Sequence, residues 1–139
     1  MLNELIEHLI DEHQAYNKKI KEFQKALEEN FSNELVEEII NFLEKDIEEH
    51  AEKEENDLVE AILKRNPDYD EEAIIFGHNT IREAVQDLKD TYEEFKQGKA
   101  KKEDIIKYAN KAFTIVKDHF LEEENFLFPD IRRMEKEWL

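Results

Sequence analysis

Two stretches of this chain spell nearly the same phrase. Residues 50–58 read HAEKEENDL and residues 119–127 read HFLEEENFL, both fitting H-x-x-x-E-E-N-x-L. If each lies on a helix, the i, i+4 spacing sets its histidine and glutamate side by side on one face. Imidazole and carboxylate buried without partners are costly. If both faces point inward, these groups need partners, and a metal is the simplest explanation; separate histidines hydrogen-bonded to local carbonyls are the alternative.

The composition favours long helices. Two glycines and two prolines among 139 residues, 41% of them charged, leave little for the turns of a β architecture. One domain over residues 1–139 with a sizeable core fits this length. A formal charge of −17 argues against nucleic acid or an anionic membrane as partner and suits a protein that holds cations. The absence of cysteine excludes disulfides, thiolate metal sites, iron–sulfur clusters and thiol redox chemistry. No apolar run approaches membrane-spanning length, and the opening MLNELIEHLIDEH is too acidic for a signal peptide. A cytoplasmic protein is expected.

Apolar periodicity divides the chain into four helices, over about 4–29, 33–65, 70–97 and 102–128, with a tail helix at 130–138. The first stripe is Leu5, Leu9, His13, Tyr16, Ile20, Phe23, Leu27, with Asn3 as its cap. The second is Val36, Ile40, Leu43, Ile47, His50, Glu54, Asp57, Ala61, with Ser32 as cap. The third opens on a capping box of Asp68 and Glu71. It runs Ile74, His78, Ile81, Val85, Leu88, Tyr92, Phe95 and closes at Gly98. The fourth is Ile105, Tyr108, Ala112, Ile115, His119, Glu123, Phe126, and Pro129 is expected to break or kink it. Trp138 would dock the tail back on the body. Short loops between such helices predict an all-α, antiparallel up-down four-helix bundle. The two halves look like a duplicated helical hairpin, with His13 and His50-x-x-x-Glu54 in one and His78 and His119-x-x-x-Glu123 in the other.

Depth along such a bundle tests whether these residues meet. His13 lies roughly 15 Å below the start of its helix, Glu54 and His50 roughly 16 and 22 Å below the same end, His78 about 12 Å, His119 and Glu123 roughly 14 and 8 Å. Within the uncertainty of helix ends all six share one layer. Each histidine is preceded at three residues by a β-branched aliphatic: Ile10, Ile47, Ile75 and Val116. His8 with Glu12 also fits His-x-x-x-Glu, but His8 lies about 140° around the helix from His13 and is read as surface. The runs Glu48-Glu49 and Glu122–Glu124 are read as solvated faces, apart from Glu123. Asn17 and Asp57 lie one turn from a ligand on the inward side; either would serve as acceptor for an imidazole N–H, with helix-end solvation the equal alternative for Asp57. Tyr16 is read as core rather than redox-active, and Phe23, Phe42, Phe95, Phe113 and Phe126 as core.

The set His13, His50-x-x-x-Glu54, His78, His119-x-x-x-Glu123, ending in Leu127-Phe128-Pro129, resembles the hemerythrin-like (HHE cation-binding) family over essentially the whole chain. The resemblance implies two iron ions (Fe2+/Fe3+). The four histidines would be terminal ligands, Glu54 and Glu123 would bridge, and an oxo or hydroxo bridge would complete the pair. Zinc or manganese would also accept these donors. Oxygen-carrying members have a fifth histidine where this chain has Ile74, and their second carboxylate stands five residues after the histidine of the fourth helix. Here glutamate stands at both four and five. The four-His/two-Glu set is similar to the subclass of iron-sensing domains and of iron-centre repair proteins that handle nitric oxide. The implied function is a diiron protein that binds or reacts with O2 or a related small oxidant, as store, scavenger or sensor, rather than an enzyme. The alternatives are a diiron reductase of NO or peroxide, an iron-centre repair enzyme, or an iron- or oxygen-responsive regulatory module acting on a separate protein partner. A homodimer is a further expectation, through Trp138 and the tail.

Overall fold

A computed structural model describes residues 2–138. Among these residues it is all helical, with four helices and no strand: α1 (Leu2–Glu29), α2 (residues 33–65), α3 (Glu72–Lys96) and α4 (residues 102–138). None of them is long and apolar enough to cross a membrane.

Local chemistry accounts for most helix ends. Ser32 stands in extended conformation before α2, and its Oγ accepts the Leu35 N–H at 3.1 Å, satisfying a donor the helix cannot. Gly98, at φ 75°, ends α3 in the left-handed region. There the N–H groups of Gly98 and Lys99 donate to the carbonyls of Phe95 and Glu94. Two expected caps do not form. α1 already runs from Leu2, so Asn3 lies inside it, and its Oδ1 accepts from Arg132 Nε at 2.9 Å. The box of Asp68 and Glu71 is replaced by Asp70, whose Oδ1 accepts the Glu72 N–H two residues on, and α3 therefore starts at Glu72.

The larger departure is that α2 and α4 are not uniform. α2 contains π-helical turns at Phe42–Ile47 and Glu54–Leu58, and α4 contains one at Glu123–Leu127. A π turn accommodates one extra residue and so shifts the face presented by everything after it. Asp57 and Phe126, inward on a regular α-stripe, are exposed here, Phe126 by 68%. The interior is filled instead by Leu58, Val59 and Ile62 after the first motif, and by Phe128 and Ile131 after the second. Nor does Pro129 break α4. It is the second residue of the α segment Phe128–Trp138 that follows the π turn, a position at the head of a segment where a missing N–H is tolerated. The expected separate tail is thus the last stretch of α4, and Trp138 is half-buried against the apolar cluster there.

The core is in two parts. The larger gathers Ile20, Phe23, Leu27, Leu43, Leu88 and Phe113 with their neighbours; the smaller holds Leu2, Ile6, Leu9, Leu58, Ile62, Phe128 and Ile131. Fully burying a side chain of this size contributes about 1.5–3 kcal/mol. Polar pairs register the helices along their lengths. Between α2 and α3, Glu55 meets His78, Glu48 meets Arg82, Glu44 meets Lys89 and Glu37 meets Tyr92. Between α1 and α4, Glu7 meets Arg132, Phe23 stacks on Phe113 and Gln24 donates to Asn110.

Candidate metal centre

Between the two apolar clusters lies a layer of buried polar side chains: His13, His50, Glu54, His78 and Glu123, none more than 2% exposed, with His119 beside them. The His119 side chain is 10% exposed. All six residues expected from the sequence converge. Glu123 reaches two ways, with Oε1 at 3.1 Å from His13 Nε2 and Oε2 at 3.3 Å from His119 Nε2. Glu54 Oε1 lies 3.1 Å from His78 Nε2 and 3.6 Å from His50 Nε2. His13 and His50 bring their Nε2 atoms to 3.0 Å of each other. Two groups result, Glu54/His78/His119/Glu123 and His13/His50/Glu123, each with its ligand atoms within 4.8 Å of one another. They share Glu123.

The donor set fits a metal ion. Glu54 Oε2, His119 Nε2 and both Glu123 oxygens are buried without a hydrogen-bond partner in the protein, which a folded chain rarely tolerates. A cation among them would satisfy all four. Burial, with His50 and His119 adjacent, pushes His13 down to about 3, and burial with His78 and His50 adjacent does the same to His119. Both rings are therefore neutral at physiological pH, the form that ligates metal. Burial also lowers His78, but hydrogen bonds and charge from Glu54 and Glu55 outweigh it and raise the group.

A second ring of carboxylates stands behind the imidazoles. Glu12 accepts from His50 Nδ1 at 2.9 Å, from Lys53 at 2.8 Å and from the Tyr16 hydroxyl at 3.3 Å. Glu55 accepts from His78 Nδ1 at 3.1 Å and is held in turn by Arg82. Burial raises both carboxyls, yet these partners more than offset it and hold them below the usual range. Glu124 lies further off, 3.8 Å from His13 Nδ1, and burial raises it. The acceptors at Nδ1 of His50 and His78 fix those tautomers so that Nε2 offers its lone pair inward, whereas His13 Nδ1 is buried with no hydrogen-bond partner.

Sequence reasoning placed the inner residues and missed these. Asn17 and Asp57 are not the acceptors. Asp57 is turned to solvent by the π turn, and Asn17 Oδ1 is buried with no partner. Glu12 was hidden by its pairing with His8, which is indeed a surface residue with a 57% exposed side chain. Glu124 falls in a run read as solvated face, and Glu55 carries no reading of its own. The signal for them was the doubled glutamate in both copies of the phrase, since the second of each pair reaches the next helix.

Beside the imidazoles is a cavity of about 10 Å³ walled by Ile47, Ala51, Ile81 and Phe120, about the space of one water. Comparison with family models, with curated proteins and with solved structures gives no match for this chain. Fold and site together define a class: an all-helical protein with a buried histidine–glutamate group able to hold metal.

Proposed function

We propose that the chain is a hemerythrin-like, non-heme diiron protein of the cytoplasm that binds or reacts with O2 or a related small oxidant, as a store, scavenger or sensor. The observation that carries this reading is the pair of ligand groups sharing Glu123. Two adjacent groups joined by one carboxylate suit a dinuclear centre better than a single ion. An antiparallel up-down arrangement is part of the proposal. It is supported by the pairings between α2 and α3 and between α1 and α4, in which residue numbers rise on one helix as they fall on the other.

Imidazole and carboxylate donors suit Fe(II) and Fe(III). Iron bound there would supply one-electron redox chemistry and open coordination positions. The chain's own contributions are distinct. His13 with His50, and His78 with His119, would hold one metal each, and Glu54 and Glu123 would hold both. Glu12 and Glu55 orient two of the rings, and Phe120, stacked on His13 with ring centroids 3.9 Å apart, keeps water from the layer. The small cavity, about the space of one water, is consistent only with a very small ligand. The equal histidine complement of the two halves supports a second reading, reduction of NO or peroxide by an external electron donor, because it leaves both metals similarly open.

Anaerobic loading with ferrous iron, then exposure to air, tests the proposal. Two irons per chain and a visible charge-transfer absorption developing in air are expected; failure to take up iron would sink it. Steady-state consumption of peroxide or NO with a reductant would favour the second reading.

A further inference from the structure

The two halves of the site repeat each other, with His13 corresponding to His78 and His50 to His119. The residues before the first of each pair therefore correspond too, and these are Glu12 and Gly77. From α1, Glu12 clamps His50 at Nδ1 and is itself pinned by Lys53. The equivalent position on α3 carries no side chain. Gly77 lies inside a long helix, where glycine is unfavourable, and its backbone has no need of a positive φ. A close approach explains it: a Cβ at position 77 would stand 2.7 Å from both Nδ1 and Cε1 of His119. The ring lies flush against bare backbone.

His119 is consequently the one histidine of the four with no carboxylate within 4 Å of its Nδ1, among the described residues. It is also the most exposed of them. The other member of its pair, His78, is held by Glu55 and through it by Arg82. Among the described residues no carboxylate holds His119 at Nδ1 in the same way.

On the two-metal reading, we propose that the positions are built unequal, with the metal held by His78 and His119 the exchangeable one, its release beginning with detachment of His119 past Gly77. The metal held by His13 and His50 is the retained one. Gly77 is a positioning residue for His119, standing where the other half has the clamping Glu12.

The test uses the whole chain loaded anaerobically with ferrous iron and challenged with excess ferrous chelator, following release over time. Two phases of one iron each are expected, separated at least tenfold in rate. Gly77→Ala displaces His119 and should accelerate the fast phase several-fold while leaving the slow phase unchanged. Glu12→Gln loosens His50 and should accelerate the slow phase, drawing the two together; this variant decides the matter if Gly77→Ala does not fold. Release of both irons in one phase, or a slow phase that responds to Gly77→Ala and not to Glu12→Gln, would overturn the inference while leaving the dinuclear reading intact. Uptake of fewer than two irons would overturn both.

Discussion

Glu54 and Glu123 each stand four residues after a histidine and each occupy the first position of a π turn. The repeated phrase is thus repeated in backbone form as well as in side chains. Each wide turn keeps its first glutamate in the buried layer and sends the second across to the histidine of a neighbouring helix, Glu55 to His78 and Glu124 towards His13.

The extra residue in this turn decides which side chains follow it into the core. Inserting one alanine after Leu127 would turn everything beyond it by about 100°, rotating Phe128 and Ile131 out of an apolar cluster in which they are 1% and 0% exposed. The loss from those two side chains is roughly 3–6 kcal/mol. Deletion of Asn125, by contrast, should let α4 close as a regular helix with both residues still facing inward. Urea unfolding would measure both, and an insertion within about 1 kcal/mol of the parent, or a deletion as damaging as the insertion, would mean the π turn does not set the packing.

The ligand groups predict graded losses of metal. His50→Ala and Glu54→Ala should each lower bound iron below two per chain, with full occupancy in both variants ruling out the assignment. Glu123 belongs to both groups, so Glu123→Ala should cost more metal than either. Elemental analysis after gel filtration reads the order directly.

Arg82 makes no contact with the inner layer, yet it holds Glu48 and Glu55 together, and Glu55 holds His78. Arg82→Gln should lower iron affinity about tenfold, the usual scale for partners behind a metal ligand, with the helical far-ultraviolet signal unchanged. Competition with a chelator of known affinity would show whether the effect is there.

The buried imidazoles set the acid limb of the metal-free protein. His13 and His119 fall from the ordinary 6.5 to about 3 in the folded chain. On unfolding below pH 6.5 both take up protons that the folded state refuses. Stability should therefore fall as pH drops from 6.5 toward 3, by up to about 1.4 kcal/mol per pH unit for each group. His78 works in another window. Its folded value is raised, so its contribution is full below 6.5 and is lost as pH climbs through that raised value. Urea midpoints between pH 6.5 and 5 should decline, and the decline should be shallower by one proton in His119→Asn. A flat profile would contradict the burial of these rings.

Much of this site was legible because spacing on a helix is rigid. His13, His50, Glu54, His78, His119 and Glu123 could be placed in one layer from 1.5 Å steps alone, and the structure brings all six together. What followed the glutamates was not legible. An α-period carried past Glu54 and Glu123 assigns Asp57 and Phe126 to the interior, and no residue-level propensity marks a π turn. Pro129 misled for the same reason, since its missing N–H matters only if the hydrogen-bond pattern before it is regular. Glu12 and Gly77 eluded the reading because their meaning lies between helices, in what each does to a ring on another one.

The polar layer also cuts the hydrophobic interior in two. On one side Leu2, Ile6, Leu9, Ile62, Phe128 and Ile131 form a cluster separate from the main core, and between them the chain offers imidazoles and carboxylates rather than hydrocarbon. With iron bound, that seam would be cross-linked by the ligands drawn from both sides of it. With iron stripped, the end of the molecule carrying both described termini would be tied to the rest mainly by helix continuity, and cooperative units of this kind open independently. Hydrogen exchange should then find amides of the first turns of α1 and the last turns of α4 opening ahead of those around Phe23 and Phe113, and the gap should close when iron is restored. Metal content would thus be readable from outside as the fraying or firmness of one end of the molecule.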